Sequence, residues 1–554
     1  MAMIPSPQCT ESGRSWSTRR DAKKAKLSKI SHLMHDKLIH ESSIIDVLHN
    51  IIEPNETVVI ESGQKQANFL SESLAKTDAK ILHDLHIVIH AVARPDHIAI
   101  FKRHIASTLD FGYAGPMSQQ VAAMVETGEL TIRSLNTYVE LSSRLFVDLI
   151  PNIAFICADA ADGQGNLFTG ANTEDTPAIT EAAAFSNGLV IAQVNKIVDK
   201  LPRVDIPGGW VDIIVPTDQP YAIEPIQTRD PKDIRELQIL MGMMVIRGIY
   251  ERHGVTSLNH GVGFNTAAIE LLLPTYGEQL GLKGKICRNW TLNPQPTLIP
   301  AIESGWVESV HSFGNEDGMQ DYIKARPDIF FTGPDGSLRS NREFCQLAGH
   351  YAVDLFAGST LQIDPDGNTS TVTKGRITGF GGAPNLGSDA RGRRHSSPAW
   401  LSMITTDAPT AHGHKLVVQL AETFKAGGVP TFVENLDAIE VGKDANLPCT
   451  PVMIYGDDVT HIVTEQGIAY LYLAQSLDER RAAIAAVAGA TALGLRSSPK
   501  KSAELRRKGL VAYPEDLGIN RNEAKRSLLS AKSMKDIVDL SGGLYSPPAR
   551  FRNW

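Results

Sequence analysis

The sequence predicts an α/β protein of two tandem domains with largely parallel sheets and a cleft between them. Helical patterns alternate with short β-rich runs through both halves, the signature of strand–helix–strand units. Segments of matching grammar also recur about 200 positions apart, so one unit is used twice. Between the copies lies Gln227-Thr-Arg-Asp-Pro-Lys-Asp233, a polar stretch read as a surface linker.

In chain order, the first copy opens with Thr57-Val-Val-Ile-Glu-Ser-Gly63 and the apolar-periodic run Gln64 to Ala75, which reads as strand, glycine turn and helix. Ile153-Ala-Phe-Ile-Cys-Ala158 is an apolar strand running into a Gly165-Asn166 turn, and Val211 to Val215 is a further strand after Leu201-Pro202. The second copy starts with the helix around Leu240-Met-Gly-Met-Met-Val-Ile-Arg247. Ser257-Leu-Asn-His-Gly261-Val-Gly263 then leads into a helix from Phe264 to Leu273, with Gly63 and Gly263 lying 200 positions apart. Asp354 to Asn368 repeats the strand and Gly-Asn turn, with Gly165 and Gly367 202 apart, and Val459 to Val463 follows Leu447-Pro448. The expected division is a basic extension at 1–30, one domain at 31–230, a second at 231–495 and a basic extension at 496–554. Ligands of open α/β sheets sit outside strand C-terminal ends, which places the site between the copies.

Composition narrows the class. The 554 residues are 42% hydrophobic, with 54 Lys+Arg against 62 Asp+Glu for a net −8. That is enough apolar material for proper cores and excludes disordered, collagenous and disulfide-scaffold classes. Cys9, Cys157, Cys287, Cys345 and Cys449 are scattered singly, which indicates neither a disulfide framework nor a zinc knuckle. No apolar run approaches the roughly 18 residues that span a bilayer, and no early stretch has the form of a secretory signal. A cytoplasmic protein is expected, with no membrane or nucleic-acid partner. Basic clusters at Arg14 to Lys29 and Arg496 to Lys508 have two readings, solvated termini or surfaces that draw an acidic partner to either end.

Several motifs are candidates for chemistry. Gly379-Phe-Gly381-Gly382-Ala-Pro-Asn385 follows a strand-like run, and consecutive glycines let backbone N–H groups converge on an oxyanion or a phosphate. Pro384 spoils a dinucleotide fingerprint, and no phosphate-binding G-x-x-x-x-G-K-[S/T] loop exists. Arg391, Arg393 and Arg394 follow as a donor-rich patch suited to a phosphorylated ligand. Val463-Thr-Glu465-Gln-Gly467 presents a carboxylate at a turn, as an acid, base or nucleophile or as a helix cap, and Glu61 before Ser62-Gly63 has the same two readings. His83, His86 and His90 fall on a strand, pointing to both faces, so a shared metal is not expected.

Taken together, the duplicated α/β unit, Gly261-Val-Gly263-Phe-Asn265, the Gly379–Gly382 loop and Val463-Thr-Glu465-Gln-Gly467-Ile-Ala resemble coenzyme A transferases. More narrowly, Gln64-Lys-Gln-Ala-Asn-Phe-Leu70, Asp148-Leu-Ile-Pro-Asn152, Thr173-Glu-Asp-Thr-Pro177, Ser257 to Ala268 and Cys287-Arg-Asn-Trp-Thr-Leu-Asn-Pro294 resemble the α subunit of malonate decarboxylase, over about residues 15–495. The resemblance implies transfer of an acyl carrier protein thiol from an acetyl thioester to malonate, releasing acetate. The implied partners are the carrier subunit and the decarboxylase β and γ subunits. No cofactor is implied for this chain itself. The carrier's prosthetic group resembles phosphoribosyl-dephospho-CoA, which Arg391, Arg393 and Arg394 would suit.

By the same resemblance, Gly263, Gly381 and Gly382 are oxyanion donors, Glu465 and Glu316 are candidate catalytic carboxylates, and Gly261, Asn265 and Asn385 are binding positions. The hydrolase/transferase branch carries its catalytic glutamate a few residues before an Asp-Gly. Setting that pair on Asp317-Gly318 puts Phe313 in the glutamate's place, with Glu316 and Glu308 as the neighbouring carboxylates. Two routes stay open: a glutamyl thioester, or direct attack of malonate on the carrier thioester. Arg288, Arg339 and Arg342 are the candidates for malonate's distal carboxylate. Transfer or hydrolysis of free CoA thioesters, and a non-catalytic carrier-docking role, are the alternatives.

Overall fold

The computed structural model describes residues 16–388, 415–552 and Trp554. The first sheet runs, edge to edge, Thr131–Leu135, Ala106–Tyr113, Leu85–Ala91, Thr57–Ile60, Ile153–Ala158, Leu189–Val194, Ile213–Pro216, Leu38–Ile39 and Met34–His35. All its pairings are parallel except the last. The second runs Ser309–Ser312, Asn289–Leu292, Ser257–His260, Leu355–Ser359, Leu416–Leu420, His461–Val463, Ile468–Tyr470 and Val511–Ala512. Here only the last two pairings are antiparallel. Helices on both faces explain why Ile153–Ala158 and Leu189–Val194 are buried at every position, as continuous apolar strands of a covered parallel sheet must be.

The segments that match in sequence hold matching places. Thr57–Ile60 and Ser257–His260 sit one strand in from Ile153–Ala158 and Leu355–Ser359 respectively, and Ile213–Pro216 corresponds to His461–Val463. The likeness reaches individual hydrogen bonds. Asp162 accepts from the N–H groups of Gln164 and Asn166, and Asn166 Oδ1 then accepts from Gly208 N–H at 2.8 Å. Asp364 accepts from Asp366 and Asn368, and Asn368 Oδ1 accepts from Gly456 N–H, also at 2.8 Å. A Cβ on Gly208 or Gly456 would run into the turn's own carbonyls, so both positions need glycine.

Two expected boundaries differ. Residues 496–554, read as an extension for their charge, supply the edge strand Val511–Ala512, and Leu505, Ile519, Leu529, Ile537 and Tyr545 are buried in the second domain's cores. Their cations mostly have partners: Arg506 pairs with Asp516, Lys508 with Glu479 and Arg496 with Glu434. At the other end, the helix Trp16–Ile30 is docked by Lys23, on Asp212 at 2.8 Å and Gly188 O at 2.9 Å, and by Lys26 on Glu56. The second half also reaches back. Val372, Ile377, Leu436 and Ala438 are buried in the first domain's core, so the hairpin Val372–Ile377 and the helix Asp437–Asp444 belong to its packing. Among the described residues, no helix is long and apolar enough to cross a membrane.

Candidate functional site

A cavity of about 300 Å³ lies between the two sheets. Its floor is the C-terminal end of the second sheet, where Ser257–His260 runs into Gly261 and Val262 and where Leu355–Ser359 ends. Tyr113 and Tyr138 of the first domain, the segment Ile226–Arg229, and the Gly379–Gly382 loop close the other sides. Gly261 donates to Ala357 O at 2.8 Å, and a Cβ there would press on Gly358 Cα at 3.3 Å. Gly263 caps the helix Phe264–Leu272 at φ 154°, and Asn265 Nδ2 donates to Ser359 Oγ at 3.1 Å while its buried Oδ1 has no partner.

The glycine loop is a latch as much as a cradle. Phe380 N–H and Gly381 N–H both donate to Gly112 O at 2.8 Å, and Tyr138 N–H donates to Gly381 O at 3.2 Å. The expectation that Gly381 N–H holds an oxyanion therefore needs correcting, because that donor is spent on holding the domains together. Among the described residues nothing accepts from the N–H of Gly382, which lines the cavity, or from that of Gly263, which follows the lining residue Val262 but is not itself in the lining. Gly379 (φ 77°) faces Gly112 O so closely that any Cβ would collide with it.

The other sequence candidates scatter. Glu465 lies outside the cavity lining; it accepts from Thr423 N–H at 3.0 Å and from the Thr423 hydroxyl, tying two strand ends together. Asn385, in the one-turn helix Ala383–Leu386, is behind the lining, and Arg391, Arg393 and Arg394 lie outside the described residues. Glu308 is half-exposed and pairs with Arg288 at 2.7 Å; Arg339 pairs with Asp335 at 3.3 Å on the surface. Glu61 is fully buried, bonded to Cys157 N–H at 2.8 Å and to the Thr176 hydroxyl. His83, His86 and His90 go separately to Asp84, Asp110 and Ser142. A possible ligand trio, His90, Asp175 and Glu343, has donor atoms within 4.8 Å of one another, but the Arg342 guanidinium 3.4 Å from Asp175 already supplies a positive charge there.

Glu316 is fully buried just behind the cavity. Its Oε1 accepts from Gln227 N–H (3.0 Å), Thr228 N–H (2.8 Å) and the Thr228 hydroxyl (2.7 Å), and its Oε2 accepts from Gln64 Nε2 at 2.5 Å. Burial raises its carboxyl to about 7 against the pull of those donors. Phe313, one residue beyond the strand Ser309–Ser312, lines the cavity in the place expected for a catalytic glutamate. Arg342 is buried and lines the cavity, between Glu174 at 3.7 Å, Asp175 at 3.4 Å and the Tyr138 ring at 5.1 Å. Although burial acts against it, these carboxylates hold its guanidinium above the usual value.

Sequence reading missed Arg229, Tyr113, Tyr138, Asn259, Asn293 and Gln346, all on the cavity wall. The segment taken for a surface linker has Thr228 buried, and Gln227 and Arg229 face the cavity. Among the described lining residues are three arginines, Arg229, Arg342 and Arg376, and no carboxylate, cysteine or lysine. His260 is already committed, to Glu270 at 2.9 Å through Nδ1 and to the Tyr250 hydroxyl at 2.7 Å through Nε2.

The family model described as malonate decarboxylase, alpha subunit, transporter matches residues 15–554. An acetyl-S-ACP:malonate ACP transferase of Malonomonas rubra is 55% identical over 528 residues, 94% of this chain and 95% of that protein. Among solved structures, a Pseudomonas malonate decarboxylase hetero-tetramer in complex with malonate has a chain 59% identical at TM-score 0.92, covering 99% of this chain and 100% of that one. An α subunit from Acinetobacter baumannii is 60% identical at TM-score 0.91, over 97% and 100%. The fold alone extends to an acyl-CoA transferase of Escherichia coli O157:H7, 16% identical at TM-score 0.51, over 77% of this chain and 87% of that one.

Proposed function

The chain belongs to the malonate decarboxylase alpha-subunit family, and on that footing we propose that it moves an acyl carrier protein thiol from acetyl-S-carrier to malonate, giving malonyl-S-carrier and acetate. Its partners in this reading are the carrier subunit, whose phosphoribosyl-dephospho-CoA arm enters the cavity, and the decarboxylase β and γ subunits that consume the malonyl thioester. A multi-subunit assembly is supported by the hetero-tetramer in which the Pseudomonas relative was solved.

The observation that carries the chemical route is the cavity wall itself, which among its described residues has Phe313 at the strand end and three arginines but no carboxylate. A glutamyl thioester needs a carboxylate within reach of the thioester, and Glu316 is turned away into four hydrogen bonds. The reaction therefore runs between the substrates. A malonate carboxylate oxygen attacks the acetyl carbonyl, the C–S bond breaks, and acetyl-malonyl anhydride and carrier thiolate are left side by side. The thiolate then attacks the malonyl carbonyl, the anhydride C–O bond breaks, and acetate leaves. Each tetrahedral intermediate carries one oxyanion, for which the N–H groups of Gly382 on the wall and of Gly263 next to lining residue Val262 are donors without another acceptor among the described residues. Holding two anions and a thioester in one arginine-lined cavity supplies the proximity that such a two-step exchange requires.

The test mixes the protein with acetylated carrier and isotope-labelled malonate and follows the carrier's mass, with borohydride trapping alongside. Malonyl-carrier formation without a glutamyl adduct is the expected result. Turnover of free acetyl-CoA with no use of the carrier would overturn the assignment, and a trapped adduct at any glutamate would overturn the direct route.

A further inference from the structure

The three arginines of the cavity are not equivalent. Arg342 is already neutralised by Glu174 and Asp175. Arg376 is exposed at the rim and places its Nε on Ser118 Oγ at 3.1 Å. Arg229 has no ion pair among the described residues. Its Nη1 donates to two backbone carbonyls, Ile226 O at 3.1 Å and Thr228 O at 2.7 Å, and its guanidinium lies 5.9 Å from the Phe264 ring. Burial pulls its guanidinium below the usual value, and of the neighbours that act on it Tyr113 and Glu316 oppose the shift while Arg550 adds to it. An enclosed cation without a counter-ion is costly unless an anion joins it, so this is the point on the wall where a bound carboxylate gains most. Nη2 and Nε, which bond nothing among the described residues, form the edge a carboxylate meets with two parallel hydrogen bonds.

We propose that Arg229 is the receptor for the carboxylate of malonate that does not react, and that Glu316 positions it. The inference rests on the transferase reading above. Malonate differs from acetate, the product that must leave, by that second carboxylate alone. A receptor for it selects the acceptor and fixes which end attacks. Glu316 acts at one remove: it grips the N–H groups of Gln227 and Thr228 and the Thr228 hydroxyl, the two residues before Arg229, and so sets where the guanidinium emerges. A carboxyl in the neighbourhood of the expected catalytic glutamate thus serves as a backbone clamp and not as a nucleophile.

The experiment compares wild type, Arg229→Gln, Arg229→Lys and Glu316→Gln by two readouts. The first is calorimetric binding of malonate and of acetate to the chain. The second is transfer from acetylated carrier to labelled malonate or labelled acetate. Arg229→Gln is expected to lower the malonate-to-acetate ratio of kcat/KM by about 100-fold, carried by the KM for malonate, with Arg229→Lys recovering part of it. Glu316→Gln moves the same ratio by about 10-fold, and adding it to Arg229→Gln moves the ratio no further, as expected for two residues acting through one contact. Equal losses with malonate and acetate, or malonate binding unchanged in Arg229→Gln, would overturn the proposal. If wild type binds malonate but transfers nothing, the transferase reading fails while the binding comparison still decides for or against the Arg229 subsite. Circular dichroism of each variant separates misfolding from lost recognition.

Discussion

In the first half, Thr57–Ile60 runs into Glu61, whose carboxylate accepts from Cys157 N–H and the Thr176 hydroxyl. Four residues on, the fully buried Lys65 reaches Glu61 at 3.4 Å, Cys157 O at 3.2 Å and Thr176 Oγ1 at 2.9 Å. In the second half the corresponding strand runs into Gly261, and Asn265, where the first copy has Lys65, reaches Ser359 Oγ at 3.1 Å on the strand equivalent to that of Cys157. The same backbone plan is thus plugged in one copy by an ion pair and cleared in the other by a glycine and a short amide. What differs is two side chains at a strand end, and that difference decides which copy has a cavity and which has a core.

The contrast breaks most visibly at Lys65. Burial opposes its charge, but Glu61 and the neighbouring polar groups hold the ammonium above its usual value, so the lysine depends on its partner at 3.4 Å. Lys65→Met leaves Glu61 buried without its cation and should cost about 3 to 5 kcal/mol, read as an earlier first transition in denaturant unfolding. An unchanged midpoint would mean that the first copy's strand end is not held by charge.

How much of this was open to sequence reading follows from range. The Asp162 and Asp364 turns, the strands that match across the duplication, and the placing of Gly261 and Gly382 at the cavity are local patterns, and pattern reports them. Arg229 was hidden because Gln-Thr-Arg-Asp-Pro has the composition of a solvated linker, and the backbone before it is held by Glu316, 88 residues beyond Thr228 in the chain. Gly381 was assigned to an oxyanion because nothing in a glycine-rich loop says that Gly112 O will take its N–H. The last 59 residues were read by their charge, while the spaced Leu505, Leu510, Ile519 and Tyr545 that bury them belong to cores assembled from elsewhere. Long-range partners, more than propensities, separate the two readings.

Glu316 sharpens the comparison, being a buried carboxyl with no ion-pair partner among the described residues where Glu61 has Lys65. Its folded value of about 7 lies above its ordinary one, so its stabilising contribution is complete below about pH 4.5 and is lost as pH rises through 7, when the folded state must ionise it. The whole span corresponds to about 3 kcal/mol. Glu316→Gln carries no such loss, so relative to wild type it should gain about that much between pH 4 and pH 8. Urea midpoints of the two proteins at both pH values check it, and parallel pH profiles would show that Glu316 is ionised and compensated in the fold.

A smaller effect is expected at the latch. Gly379→Ala combines a left-handed backbone with a collision against Gly112 O and should destabilise by about 1 to 3 kcal/mol. Gly427→Ala has nearly the same φ, 78°, but nothing within 4 Å, so it isolates the conformational part at about 1 kcal/mol. If the two variants unfold alike, the contact between Gly379 and the first domain contributes nothing.

The smallest change in stability belongs to the counterpart of Lys65. Asn265→Ala removes one neutral hydrogen bond to Ser359 Oγ from a side chain whose other end already lacks a partner, so no charge is stranded and the cost should stay within about 1 kcal/mol. Its expected effect lies in transfer, because Asn265 is in the first turn of the helix whose cap, Gly263, offers an N–H to the oxyanion. The paired outcome is what tests the argument: Lys65→Met should lose stability, while Asn265→Ala should keep stability and lose kcat. An Asn265→Ala protein as unstable as Lys65→Met would mean that both strand ends are structural plugs and that the cavity is cleared by Gly261 alone.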